Sequence, residues 1–270
     1  MRLYPQDEVL KVLRVLTDPQ HHTVIISPMP VRSAAQERAL DGLARDLEGV
    51  FGPRLASLVA YAAHDGDDTL HTLALIEGLT FRDLTACLPL ADGWRRRGLA
   101  VPLMLSQAEL SRTVDIFPLE YSSIISSHAV VRGRNPFDGI RVPSEDIRRA
   151  CEAQAKSHLI HLREGFLESH GEAAVIGQLI VRSAGPFRAL IANIARLPDN
   201  GRSTTAVAPV SDDVLAQVAE SRMGVPAALV HDVLTAATTG QMSIADPSAL
   251  LARYLEAAQR MWDYVDTWRA

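Results

Sequence analysis

A short acidic stretch between two apolar segments carries the residues best suited to metal chemistry. Residues 65–68 read Asp-Gly-Asp-Asp, and Asp65 and Asp67 lie one residue apart. Two carboxylates with that spacing share a face of an extended strand, and Glu120 or Asp115 could add a third. Carboxylate oxygens are the ligands that Mg²⁺ prefers. The alternative is a solvated hairpin turn, because Asp and Gly are favoured in turns.

Histidines provide a second set of candidate metal ligands. His64 and His71 flank the acidic stretch and could bind a transition metal. His158 and His161 are three residues apart in a predicted helix, so their rings could approach one ion. No Glu-x-x-His pattern accompanies the second pair, and the first has no defined ligand spacing. We therefore predict no metal site, and we interpret His158 and His161 as surface or interface histidines.

Three arginines are candidates for binding the phosphate groups of a nucleotide. Arg95 begins a run of three arginines near a helix end, and Arg132 and Arg134 surround Gly133. Guanidinium groups bind phosphates through paired N–H donors if folding brings them together. The alternative is a solvated helix end and loop. The sequence contains no Gly-x-Ser-x-Gly elbow, no Rossmann glycine motif and no Walker loop.

Composition and charge limit the classes of protein that the chain can represent. Its 270 residues are 47% hydrophobic and 22% charged, with a net charge of -5. These values are typical of a globular protein, and they do not favour broad nucleic-acid binding. No segment has the roughly 20 apolar residues needed to cross a bilayer, so we expect no membrane partner and a cytoplasmic location. Cys87 and Cys151 are predicted to be small buried hydrophobes.

Hydrophobic periodicity and turn residues define the elements that must position these side chains. Extended segments are predicted where apolar runs end at turn residues, at 55–63, 70–77, 101–105 and 116–125. The first two form a predicted antiparallel hairpin. Helices are predicted at 33–51, at 81–97 and after a capping box that begins at Ser106. Beyond Pro143 the pattern becomes helical, at 144–170, 172–197, 212–221, 226–238 and 247–268.

These elements predict an α/β (α+β) protein, with a mixed sheet flanked by helices and a helical bundle after it. Residues 1–31 are expected to form an accessory helix and strand. Residues 32–143 are expected to form the α/β domain, and residues 144–270 the helical domain.

The order helix, strand, turn, strand, helix, strand resembles the polymerase-β-like nucleotidyltransferase fold. The stretches that carry this resemblance are GPRLASLVAYAA, GWRRRGLAVPLMLSQAEL, VDIFPLEYSSIISSHAVVRG and RVPSEDIRRACEAQAKSHLIHLREGFL. They are similar to segments of a bacterial subgroup of nucleotidyltransferase-like proteins. The similarity covers roughly Arg38 to Leu167.

The resemblance implies a particular catalytic site, and this sequence departs from it. In the family, a Gly-Ser turn seats the triphosphate, and three strand carboxylates hold two Mg²⁺ ions. Ala62-Ala63 stands at the turn, and Leu70 and Thr72 stand where the carboxylate pair is expected. Glu120 alone cannot form a two-metal clamp. The resemblance therefore implies the fold without catalysis and without a cofactor.

Three functions remain open. The leading one is a non-catalytic nucleotidyltransferase-fold protein that acts in nucleotide binding or protein interaction. The first alternative is an active Mg²⁺-dependent nucleotidyltransferase that uses Asp65, Asp67 and Glu120 as displaced ligands. The second is a purely structural homodimer formed through the C-terminal helices. Its predicted contact is the apolar face of the last helix, made by Leu250, Leu251, Leu255, Ala258, Met261, Trp262 and Val265.

Overall fold

A computed structural model describes residues 33–62, 69–198, 211–240 and 244–269. The predicted accessory segment 1–31 and the acidic stretch 65–68 lie outside the described residues. The strands are β1 (Leu55–Ala62), β2 (Leu70–Ile76), β3 (Leu103–Leu105) and β4 (His128–Gly133). Four helices accompany them: α1 (Ala34–Phe51), α2 (Phe81–Arg96), α3 (Gln107–Thr113) and α4 (Pro118–Ser126). The remaining helices are α5 (Ser144–Glu168), α6 (Ala173–Ala195), α7 (Asp212–Met223), α8 (Ala227–Thr239) and α9 (Pro247–Thr267).

The four strands form one mixed sheet in the order β3-β2-β1-β4. Strand β1 pairs antiparallel with β2, from Leu55 opposite Ile76 to Ala62 opposite Leu70. It also pairs antiparallel with β4, whereas β2 and β3 are parallel. The predicted antiparallel pairing of the first two apolar segments is confirmed. The α+β class is confirmed at this level as well.

Side chains alternate between the two faces of the sheet, and each face has its own core. Leu58, Ala60 and Ala74 pack beneath α1 and α2 in one buried cluster. Val59 and Leu73 point the other way and pack with side chains of α3 and α4. We call these the α1–α2 face and the α3–α4 face.

Capping boxes begin three of the helices in this part of the chain. Ser33 accepts a hydrogen bond from the backbone N–H of Gln36, whose side chain accepts one from the Ser33 N–H. Thr80 and Asp83 make the same exchange at the start of α2. The predicted box at Ser106 is confirmed, and it begins α3. These caps satisfy backbone donors that have no partner inside the helix.

One predicted strand is wrong: residues 116–125 contain helix α4 rather than a fourth extended segment. Pro118 occupies its first turn, where the missing N–H has no consequence. Glu120 also lies in the first turn, where the helix dipole favours an acid. Tyr121 and Ile124, three residues apart, are the buried side of this helix. The fourth strand is β4, which follows the helix.

Strand β4 approaches β1 so closely that its last residue must be glycine. Gly133 has a φ of 74°, and a Cβ there would lie 2.1 Å from the carbonyl oxygen of Ala56. No other residue fits this position without moving the strand. Ser57 lies opposite Gly133 and donates a hydrogen bond to the Arg134 carbonyl at 2.7 Å.

The five helices from α5 onwards form a separate buried cluster. The predicted helices are confirmed within a few residues at their ends. One detail differs, because Pro143 is the N-cap of α5 and Ser144 is its first helical residue. Helix α6 is the centre of the cluster and packs against α5, α7, α8 and α9. It is long and apolar enough to cross a membrane, and ten of its residues are buried.

The apolar face of α9 is covered by the chain itself. Five of the residues predicted to contact a second subunit are at most 6% exposed, namely Leu250, Leu251, Ala258, Met261 and Val265. Leu255 and Trp262 are partly buried against the same cluster. Helix α9 packs on α5, α6 and α8, so these side chains serve the monomer core. A homodimer through the C-terminal helices stays a prediction.

Both cysteines are free and buried, as the sequence predicts. Burial raises the pKa of Cys151 to about 12, and it raises the pKa of Cys87 as well. Since the thiolate is the reactive form, neither side chain is poised for nucleophilic chemistry.

Candidate functional site

The two positions where the resemblance places metal-binding carboxylates lie inside the α1–α2 face. Leu70 is 5% exposed and packs in that apolar cluster. Thr72 lies between Leu70 and Ala74 on the same side of β2 and is 1% exposed. Its hydroxyl oxygen is buried and has no hydrogen-bond partner in the described part of the chain. A hydrated cation has no access to such a position.

Glu120 lies on the opposite side of the sheet from these positions. It is an exposed residue of α4, whose buried side chains Tyr121 and Ile124 pack on the α3–α4 face. Asp115 is also exposed, just before this helix. The sheet therefore separates Glu120 from Thr72. Asp65 and Asp67 lie outside the described residues, and within those residues no three His, Cys, Asp or Glu side chains are grouped to hold a metal.

The arginines proposed for phosphate binding are largely engaged with carboxylates. Arg95 pairs with Asp92 at 3.1 Å on the surface of α2. Arg132 lies between Asp41 and Glu48 of α1, at 3.4 and 3.3 Å. A phosphate would have to displace these acids.

Arg134 and Arg97, the last residue of the arginine run, differ in whether they have an ion-pair partner. Arg134 is exposed and forms no salt bridge with the residues that the structure describes. Arg97 pairs with Asp46 of α1 at 2.6 Å, and Asp46 also accepts a hydrogen bond from the Trp94 indole at 3.0 Å. The acidic side of α1 thus neutralises much of the cationic charge around it. The three candidate arginines share no ion-pair partner among the described residues.

A polar cluster that the sequence did not reveal connects Arg54, the residue before β1, to the start of α2. Arg54 donates two hydrogen bonds to the Asp83 carboxylate, at 2.6 and 3.0 Å. Thr80 adds its backbone N–H and hydroxyl to Asp83, at 2.9 and 2.8 Å. The Arg54 guanidinium, with help from Thr80, holds the pKa of Asp83 well below its usual range. Every oxygen of this carboxylate is used internally, so the cluster is structural.

A row of ring side chains crosses the sheet on the α3–α4 face. Tyr61 is opposite His71 on β2 and His128 on β4, and the Tyr61 and His71 rings are 5.7 Å apart. The Nε2 atom of His71 is buried and unpartnered among the described residues. His128 is fixed by the Ile125 carbonyl and the Asn135 side chain, both at 3.0 Å. Burial raises the pKa of Tyr61, so it is a neutral phenol at neutral pH.

His158 and His161 do not face a common ion. His158 is 8% exposed, and its Nε2 lies 2.8 Å from the Tyr254 hydroxyl. Tyr254 donates to the Ser183 carbonyl at 3.2 Å, so the proton between the two rings belongs to His158. His161 is exposed and donates from Nδ1 to the Ser157 carbonyl at 2.7 Å. The prediction of a surface position is correct for His161 and wrong for His158.

Burial explains the protonation state of His158. The apolar surroundings, with a smaller contribution from His161, lower its pKa to about 4. The ring is therefore neutral and donates one hydrogen bond through Nε2. Periodicity placed His158 on a helix, but it carried no signal that Tyr254, 96 residues away, would be its partner.

Comparison with protein-family models and with curated proteins finds no match for this sequence.

Proposed function

We propose that the chain is a non-catalytic protein of nucleotidyltransferase-like architecture that acts by binding a partner in the cytoplasm. The observation that carries this proposal is the burial of Thr72, at 1% exposure, on a strand that the resemblance would equip with carboxylates. Even an acid at this position would be enclosed by apolar groups. Such burial raises a carboxyl pKa and favours the neutral form, which binds no cation.

The lack of metal-binding charge at these positions also argues against nucleotidyl transfer. A triphosphate and an attacking hydroxyl bring several negative charges together, and in a two-metal site the cations neutralise them. Leu70 and Thr72 supply no ligand charge. Glu120 is exposed, and Mg²⁺ held by one exposed carboxylate keeps most of its water and binds weakly.

Protein interaction is favoured over nucleotide binding. Arg95 and Arg132 are already paired with acids, which lowers the charge available to a phosphate. In contrast, α2 exposes Phe81, Leu84 and Leu88, which are 83%, 43% and 71% accessible. Their spacing of three and four places them along one side of the helix. Exposed apolar stripes of this kind are typical of surfaces that meet other proteins.

Binding of Mn²⁺ to the full chain, followed by electron paramagnetic resonance, tests the missing metal site. We expect weak binding that changes little in Glu120→Gln and in Asp65→Asn. A pair of tightly bound ions, lost in both variants, would support the alternative of an active transferase and would contradict the proposal. Glu168→Gln is the control, since it removes an exposed acid of α5 that is not a candidate ligand.

A further inference from the structure

A groove of about 330 Å³ runs between α5 and α6, in the helical part of the chain. Its apolar walls are formed by Leu162, Leu179 and Pro186. Pockets of this size hold small organic ligands, whose apolar parts occupy the walls while a few polar groups set the orientation. The groove lies on different elements from the sheet.

Glycine and proline explain why these two helices leave a gap. At Gly165 they are so close that a Cβ would lie 2.6 Å from the Leu179 side chain. Pro186 lies inside α6 and has no N–H to donate to the carbonyl of Arg182. A proline ring within a helix also conflicts with the carbonyl four residues earlier, which favours a local bend. The groove lies between the close approach and the proline.

The polar groups at the base of the groove are held in place before any ligand arrives. His158 is fixed by Tyr254, which in turn donates to the Ser183 carbonyl. The Gln154 side chain accepts a hydrogen bond at 3.0 Å from Asn193. A site with ordered polar groups loses less entropy when it binds.

The charged residues that line the groove indicate the sign of the charge on its ligand. No Asp or Glu lines the groove, while the Arg182 guanidinium and the His161 ring lie at its rim. Arg182 is exposed and has no ion-pair partner among residues 33–62, 69–198, 211–240 and 244–269. An unpaired guanidinium beside apolar walls favours an anion that carries an apolar body.

We propose that this groove binds a small organic carboxylate. Its apolar body packs against Leu162, Leu179 and Pro186, and its carboxylate pairs with Arg182. One permanent cation matches a singly charged carboxylate better than a doubly charged phosphate ester. This site is independent of the proposed function, because neither the sheet nor Glu120 takes part.

Titration of the full chain with 1-naphthoate, followed by NMR of the histidine rings, tests the proposal. The neutral 1-naphthamide has nearly the same shape, so it isolates the contribution of the charge. Because a hydrogen bond to a charged group is stronger than one to a neutral group, we expect 1-naphthoate to bind about tenfold more tightly than 1-naphthamide. We expect the His158 and His161 signals to shift together during the titration.

Variants locate the binding within the groove. Arg182→Gln should weaken naphthoate binding about tenfold and leave naphthamide unchanged. Ser157→Trp, an exposed position at the rim, should block both probes. Arg112→Gln removes an exposed arginine of α3 and should have no effect.

Three outcomes would overturn the proposal. The first is equal affinity for the acid and the amide, and the second is unchanged naphthoate binding in Arg182→Gln with the fold intact by circular dichroism. The third is tighter binding of phenyl phosphate than of naphthoate, which would assign the groove to phosphate esters instead.

Discussion

His158 donates a hydrogen bond to Tyr254 across the helical cluster, with 2.8 Å between Nε2 and the phenolic oxygen. Tyr254 in turn donates a hydrogen bond to the Ser183 carbonyl, so consecutive hydrogen bonds connect α5, α9 and α6. The Tyr254 ring is fully buried and packs edge-on against Phe187. This arrangement requires a neutral histidine, because an imidazolium would bring an uncompensated charge into the core.

The first prediction follows from that requirement and concerns acid stability. Burial lowers the pKa of His158 to about 4, whereas the unfolded chain titrates near its ordinary value of about 6.5. The unfolded state therefore binds the proton first, and stability falls as the pH drops from about 6.5 towards 4. We expect His158 to contribute a loss of about 2 kcal/mol between pH 7 and pH 4.5.

Urea unfolding at both pH values measures this loss. His158→Gln retains a hydrogen-bond donor but does not titrate, so its loss of stability over the same range should be smaller by that amount. His161→Gln, on the exposed side, is the control and should behave like the wild type. An identical pH dependence in His158→Gln and the wild type would show that His158 is not buried and neutral.

The second prediction concerns Arg54 and Asp83. Their ion pair is shielded on the Asp83 side and supported by Thr80, so removing either partner leaves hydrogen-bonding groups unsatisfied. Asp83→Asn and Arg54→Gln should each lower the melting temperature, and the double variant should lose less than the sum. Because the pKa of Asp83 is depressed in the folded chain, its contribution is present at neutral pH and is lost on acidification.

Arg95→Gln is the matched control for this pair. Arg95 and Asp92 are 65% and 75% exposed, and exposed pairs contribute little. Thermal unfolding of the four variants should therefore separate the two ion pairs. An equal, small effect of Arg95→Gln and Arg54→Gln would contradict a structural role for the Arg54–Asp83 cluster.

The third prediction concerns Thr72. Its buried hydroxyl has no partner among the described residues, and valine has almost the same shape without the polar atom. Thr72→Val should stabilise the protein by about 1 kcal/mol in urea unfolding. Thr72→Asp should destabilise it strongly, since a carboxylate would be buried without a partner. A folded Thr72→Asp variant that binds Mn²⁺ more tightly than the wild type would show that this position is accessible.

Local sequence patterns predicted much of the fold. Turn residues between the apolar runs at 55–63 and 70–77 predicted the hairpin, and the spacing of Ser106 and Glu109 predicted a helix start. The strand predicted at 116–125 is wrong because apolar residues of the kind found there are also typical of a strand, namely Ile116, Phe117, Ile124 and Ile125. Pro118 favours the first turn of a helix, and that signal was present in the sequence.

Long-range partners could not be predicted from one sequence. Arg54 and Asp83 are 29 residues apart, and no local pattern couples them. The groove beside Pro186 depends on how α6 meets α5, which periodicity does not specify. The sequence shows Leu70 and Thr72 where the resemblance expects acids. Their burial could not be predicted, because it depends on how α1 and α2 pack on the sheet.

The measurement that tests the central claim most directly is an assay of nucleotidyl transfer by the full chain. Purified protein is incubated with each labelled nucleoside triphosphate, Mg²⁺ or Mn²⁺ and a panel of hydroxyl acceptors. The account predicts no transfer above that of a heat-denatured sample, because no carboxylate stands at positions 70 and 72 to hold the metals. Transfer that is present in the wild type and absent in both Asp65→Asn and Glu120→Gln would contradict it, since the catalytic site would then have moved rather than vanished.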